Sequence, residues 1–201
     1  MCRSIKTLQR LVGKCVPFSL AVPAARLFTR EMSAAISMGM RWLKPIAVQG
    51  AQRDEISHLL FLEGWEDPLP WREECHLQIE LATDASKTGW GGVISTPVKQ
   101  ETSDYWSKDE MMLDIATREA IAVDKVLHAF KDIVEDYRVD VISDNQAVMH
   151  AWNNQGSKGC DLNDAIKALF FTTKDLNVLL HRLYVPSQEN RADAPSADYH
   201  P

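Results

Sequence analysis

Apolar and polar positions alternate along residues 76–81, with Leu77, Ile79 and Leu81 set against His76, Gln78 and Glu80. That period of two predicts a half-buried strand that runs out at Asp84. Ala85–Gly89 is turn material, and 89–95 and 98–106 predict two further strands, so the region opens as an antiparallel meander. The period then becomes helical. Ile115, Ala116, Ala120, Val123, Val126, Leu127 and Phe130 keep to one side of a helix, with Thr117 placed to cap its start. Val139, Val141 and Ile142 mark a fourth strand ending at Asp144. Helices over 146–153 and 162–174 follow, then a fifth strand over 178–185 and a polar tail. The order β-β-β-α-β-α-α-β predicts an α/β domain, a five-stranded mixed sheet with helices packed on it.

Upstream the pattern differs. Phe28, Met32 and Ile36 recur at i, i+4 and i+8, which predicts a helix from near Pro23. Ile56, Leu59 and Leu60 predict a second, shorter one, and Gly39, Pro45 and Gly50 break the periodicity between them. Residues 64–75 combine Pro68 and Pro70 with several acids and no period. The chain therefore divides into a small helical segment over 1–70, a linker over 71–75 and the α/β domain over 76–199.

Composition narrows the class. Of 201 residues, 45% are hydrophobic and 25% charged, which suits a soluble globular protein and excludes a mainly disordered or collagen-like one. No apolar stretch approaches the ~18–20 residues of a membrane span, so no membrane partner is expected. The four cysteines are scattered without a Cys-x-x-Cys pair, which excludes a zinc ribbon or disulfide scaffold. A reducing, intracellular compartment is expected, with cytoplasm and nucleus both open. The net charge of −6 hides an asymmetry: residues 1–30 hold six basic side chains and no acid, while the remainder holds 16 basic against 28 acidic. A basic segment beside an acidic body points to a polyanion, although a solvated run or a targeting segment has the same composition. Six tryptophans offer stacking surfaces or core packing, and Trp90 and Trp106 are expected to pair across strands. No glycine-rich phosphate loop occurs, so no nucleotide cofactor is implied.

Three acids occupy informative places. Asp84 ends the first strand of the domain, Asp144 ends the fourth, and Glu119 lies on the apolar side of the long helix. Asp193 follows the last strand. Taken singly, each has an ordinary reading as a turn former, a helix cap or a snorkelling side chain. A lone carboxylate at position 119 would be costly to bury, and the cost falls if it meets other carboxylates across a divalent cation. Two Mg²⁺ ions roughly 3.5–4 Å apart would suit phosphoryl transfer, one activating a water and the other stabilising the leaving oxygen.

Thr83-Asp84-Ala-Ser, Thr117-Arg-Glu119-Ala-Ile-Ala-Val, Ser143-Asp144-Asn145 and Glu189-Asn190-Arg-Ala-Asp193-Ala together resemble the four motifs of the type 1 RNase H domain. They are most similar to the domain that follows reverse transcriptase in retroelements, over residues 76–199. The run from Asp144 to Gly156, Val185-Pro-Ser and Ala192-Asp-Ala-Pro-Ser196 narrows the resemblance to DIRS-like retrotransposons. Residues 11–30 resemble the thumb and connection segment that precedes RNase H there. The resemblance implies an RNase H-like fold that cleaves the RNA strand of an RNA/DNA hybrid. It implies Asp84, Glu119, Asp144 and Asp193 as catalytic metal ligands for two Mg²⁺ ions, with Mn²⁺ a possible substitute. Ser86, Asn145 and Asn190 match positions that touch the substrate. A further expected partner is the polymerase portion of a reverse transcriptase, and the hybrid is read by shape and 2′-hydroxyls.

Three departures accompany the resemblance. The loop Pro186-Ser187-Gln188 lacks the histidine found there in many RNase H enzymes, and His181 lies within the strand. Pro195 follows Asp193 by two, so a long helix carrying that aspartate is excluded, and Asp198 is an alternative fourth ligand. No polymerase motif is present. The acidic body must grip phosphate through the basic residues of 3–30, Lys87, Lys158 and Arg191. The rival reading is a catalytically silent retroelement remnant, or a domesticated module that binds nucleic acid or protein.

Overall fold

A computed structural model describes residues 2–20, 24–42, 44–60, 77–96, 99–192 and 196. The chain divides into two compact units, Met1–Trp71 and Arg72–Pro201. The expected linker over 71–75, Asp193 and Asp198 lie outside the described residues.

In the first unit, β1 (Cys2–Arg3) pairs antiparallel with β2 (Ile46–Ala47), framing helices α1 (Ile5–Cys15), α2 (Arg30–Trp42) and α3 (Ala51–Leu59). Leu8, Ile36 and Ile46 form a small core. The buried carboxylate of Glu55 accepts the Glu31 and Met32 backbone N–H groups at 2.8 and 2.9 Å. It thereby satisfies two of the orphan donors at the start of α2. Two expectations are corrected. Gly39 does not break the helix; it lies inside α2, where a Cβ would come 2.8 Å from Ile46 Cγ1. Phe28 is buried in a 3-10 turn before α2, with non-helical dihedrals, and its ring stacks on His58 at 3.4 Å between centroids.

The second unit carries the five-stranded mixed sheet, in the order β5-β4-β3-β6-β7. The strands are β3 (Gln78–Ala85), β4 (Gly89–Ile94), β5 (Gln100–Tyr105), β6 (Arg138–Ser143) and β7 (Leu179–Tyr184). β3, β4 and β5 form the antiparallel meander, and β6 and β7 continue the sheet in parallel. Helices α4 (Ile115–Ala129), α5 (Lys131–Val134), α6 (Gln146–Asn153) and α7 (Cys160–Asp175) complete the unit. Its core joins Ile79, Leu81, Val139, Val141 and Leu180 of the strands to Val123, Val126 and Leu127 of α4 and Leu169 of α7.

Gly92 sets the helix-to-sheet distance, because a Cβ there would lie 2.5 Å from both methyl carbons of Val126. The cap of α4 is Asp114 rather than Thr117. The Asp114 carboxylate accepts the Thr117 N–H at 3.0 Å and its hydroxyl at 2.7 Å, which a hydroxyl inside the first turn cannot do for its own helix. Ile115 is 47% exposed and so falls off the core face. Trp90 stands opposite Asp104, not Trp106. Trp106 lies past the end of β5, and both indoles enter the same core.

Candidate metal centre

The topology brings the acids together. β3 and β6 are parallel neighbours with Ala82 opposite Ile142, so their C-terminal ends lie side by side. Two residues further along, Asp84 and Asp144 meet at that edge. β3 pairs antiparallel with β4 on its other side. The chain runs outward from β3 through β4 to β5 and then returns to lay β6 and β7 on the other side of β3, and in open α/β sheets the crevice at such a reversal of strand order, outside the C-terminal strand ends, is the usual ligand site. α4 packs on β3 and β4. Glu119 sits on its second turn and is 3% exposed. One carboxylate oxygen from each of Asp84, Glu119 and Asp144 lies within 4.8 Å of the others.

The electrostatics of this cluster are unfavourable by themselves. Burial, then the negative charges of Asp84 and Asp144, push the Glu119 carboxyl up to about 8, against the pull of Arg182 and a hydrogen bond from Ala85 N–H. Burial also raises Asp84; a hydrogen bond from Ser196 opposes the rise and the charge of Asp144 adds to it. Glu119 Oε2 is buried with no hydrogen-bond partner. An orphaned carboxylate oxygen among converging oxygen donors fits a hard divalent cation. Among the described residues, Asp84, Glu119 and Asp144 are the group able to hold one.

The expected substrate contacts have internal partners. Ser86 Oγ builds the β3–β4 turn, accepting the Thr88 and Gly89 N–H groups at 3.2 and 3.0 Å and donating to Gly89 O at 3.0 Å. The Ser86 carbonyl receives Trp106 Nε1 at 3.1 Å and Arg118 Nη1 at 3.0 Å. Asn145 Oδ1 caps α6, accepting from Ala147 and Val148 N–H. Asn190 is buried and docks the tail: its Nδ2 donates to Thr83 O at 3.0 Å and its Oδ1 accepts Ala192 N–H at 3.2 Å. Of the basic candidates, Lys87 and Lys158 are exposed, while Arg191 pairs with Glu80 at 3.0 Å and reaches Ser95 Oγ at 2.9 Å. His181 is exposed on β7.

Residues 75–166 match the model of the RNase H-like domain found in reverse transcriptase, a stretch that contains Asp84, Glu119 and Asp144. RNase H1 from the halophilic archaeon Halobacterium salinarum NRC-1 superposes with a TM-score of 0.50 at 19% identity, over 59% of this chain and 94% of that one. The second unit has an RNase H-like fold. LC11-RNase H1, solved in complex with an RNA/DNA hybrid, matches at a TM-score of 0.48 and 18% identity, over 59% of this chain and 91% of its own. The foamy viral protease-reverse transcriptase, also solved with an RNA/DNA hybrid, matches at a TM-score of 0.41 and 14% identity, over 99% of this chain and 27% of its own. No curated protein sequence matches the chain. Among the described residues, no helix is long and apolar enough to cross a membrane.

Two features of the second unit escaped the sequence reading. Ser196 Oγ donates to Asp84 Oδ2 from the far end of the chain. Arg182, on β7, is electrostatically coupled to Glu119, and its three guanidinium nitrogens are buried without a hydrogen-bond partner. The alternation of β7 held the signal for the second: Arg182 shares a strand face with the core residue Leu180 and stands opposite Val141.

Proposed function

We propose that the RNase H-like domain hydrolyses the RNA strand of RNA/DNA hybrids endonucleolytically. Asp84, Glu119 and Asp144 would hold divalent cations, with Asp193 as the fourth ligand. The observation that carries the reading is the convergence of three carboxylates at the ends of two parallel strands, with the buried Glu119 Oε2 lacking any partner. Bound there, Mg²⁺ ions would supply Lewis-acid activation of an attacking water and neutralise charge on the scissile phosphate and its leaving oxygen.

The chain's own residues do the rest. Asp84 is held by Ser196, and Glu119 by the packing of α4 on the sheet, so the donors are preorganised. The turn at Ser86 is pinned by Trp106 and Arg118 beside the site, and Lys87 on that turn offers a charge to phosphate. We further read the chain as part of a DIRS-like retroelement product. Residues 1–70 would be a remnant of the thumb and connection, and a polymerase portion would share the grip on the hybrid. The compartment on this reading is intracellular, cytoplasm or nucleus.

The test is a cleavage assay at low salt on an end-labelled hybrid, with Mg²⁺ or with EDTA, beside Asp144→Asn. The expected result is Mg²⁺-dependent cutting of the RNA strand alone, reduced by roughly 10³-fold in the variant. Hybrid binding by a folded chain with no cutting would overturn the reading of a self-sufficient nuclease. The chain would then be a silent remnant or a binding module.

A further inference from the structure

Arginine side chains ordinarily lay their stems on the protein and keep the guanidinium in water. Arg182 does the reverse. The residue is only half-buried, yet Nε, Nη1 and Nη2 are all buried and none has a hydrogen-bond partner. Its strand position forces this, because residue 182 shares the face of β7 that carries Leu180 into the core. A guanidinium buried without hydrogen bonds is expensive unless an opposite charge faces it. The acid whose charge acts on it is Glu119, whose Oε2 is likewise buried and unpartnered. Burial lowers the Arg182 guanidinium to about 10, partly offset by Glu119, so it keeps its charge at neutral pH.

Resting on the metal-centre reading above, we propose that Arg182 is a positioning residue: a permanent internal countercharge to Glu119 that holds down the affinity of the carboxylate triad for its divalent cation. With three carboxylates and one guanidinium, the cluster carries a net charge near −2 when fully ionised. Loading a cation adds positive charge beside Arg182 in either starting state. It adds two units if Glu119 enters ionised, and one if the cation displaces its proton. The guanidinium therefore opposes loading, and the centre exchanges its cation readily instead of retaining it. A substrate phosphate brings back negative charge, so cation retention becomes tied to occupancy by nucleic acid.

The test is Mn²⁺ titration of the full chain by calorimetry, without nucleic acid, for wild type, Arg182→Met, Arg182→Lys and Asp144→Asn. Asp144→Asn identifies the carboxylate-dependent site. Arg182→Met is expected to tighten that site on the order of fivefold, the size of a partly screened charge, while Arg182→Lys stays within about twofold of wild type. A purely structural arginine would leave affinity unchanged or weaken it, and either result overturns the proposal. If Asp144→Asn does not remove the Mn²⁺ site, the metal-centre reading falls and this proposal with it. If it does remove the site and Arg182→Met fails to tighten it, the proposal alone falls. Should Arg182→Met not fold, the double variant with Glu119→Gln decides in EDTA: recovery of the fold supports the charge pairing, and failure to recover overturns it.

Discussion

Asn190 donates its side-chain amide to the carbonyl of Thr83 at 3.0 Å, across 107 residues of sequence. Thr83 immediately precedes Asp84, so this hydrogen bond docks the tail against the strand that carries the first metal-ligand candidate. Ser196, further along the tail, then reaches Asp84 itself. The tail residue Ala192 joins Ala82 and Val93 in a small apolar cluster on the sheet. Asn190→Ala leaves the buried Thr83 carbonyl without this donor, a cost of about 1–3 kcal/mol. The expected outcome is a lower urea midpoint and a larger loss in cleavage than in hybrid affinity, because the tail positions the carboxylate end of the site. Equal losses in the two would place Asn190 at the substrate instead.

Gly92 provides a sharp test of how α4, and with it Glu119, is seated. A Cβ at this position collides with both Val126 methyl carbons at 2.5 Å. Gly92→Ala is expected to destabilise the domain by about 1–3 kcal/mol through overpacking. Adding Val126→Ala should recover part of that loss, because the shortened side chain makes room for the new methyl. The check is a double-mutant cycle by urea denaturation, and additive losses would contradict the contact.

The strand and helix periods, and the order of the acids, made the second unit and three members of its cluster legible before any coordinates. Asp84, Glu119 and Asp144 could be read because each sits at the end or on the face of a strongly periodic element. Their proximity depended on a relation that period alone does not state, the parallel pairing of β3 with β6. Arg182 was illegible for a different reason. Reading β7 as a strand beside a polar tail left its two faces unassigned, and only the register that sets Arg182 opposite Val141 puts it on the face shared with the core residue Leu180. Trp90 and Trp106 show the same limit, because pairing across strands depends on register, and register places Asp104 opposite Trp90. Ser86 and Asn145 were found by motif, while their turn and cap hydrogen bonds follow from local geometry that a motif does not describe.

Arg118 and Trp106 both donate to the Ser86 carbonyl, and Arg118 also reaches the Lys87 carbonyl at 3.1 Å. The turn beside Asp84 is thus held by two side chains from other elements. Arg118→Met removes two charge-assisted hydrogen bonds and is expected to raise KM for the hybrid several-fold, with Mn²⁺ affinity at the triad little changed. Cleavage kinetics and metal titration on the same preparation separate the two. A matching loss of metal affinity would show that the turn supports the ligands and not the substrate.

The raised value of Glu119 makes the stability of the metal-free domain depend on pH with a definite sign. Below about 4.5, its ordinary value, Glu119 is protonated in folded and unfolded chains alike and contributes no slope. Between about 4.5 and about 8 the folded chain keeps the proton that the unfolded chain has lost. The folded state binds more protons, so stability falls as pH rises through this window, by up to about 4 kcal/mol before relaxation of the site. Asp84 is raised as well and adds to the slope in the same direction. Glu119→Gln removes the ionisation and should flatten the curve while abolishing metal binding. Saturating Mg²⁺ should flatten it in the wild type, because a bound cation favours the ionised triad and binds more tightly as protons leave. Urea midpoints from pH 5 to pH 9 in EDTA, and again in Mg²⁺, provide the check. A wild-type stability in EDTA that stays flat across this window would mean that Glu119 is ionised in the folded chain without metal, with Arg182 compensating its charge in full.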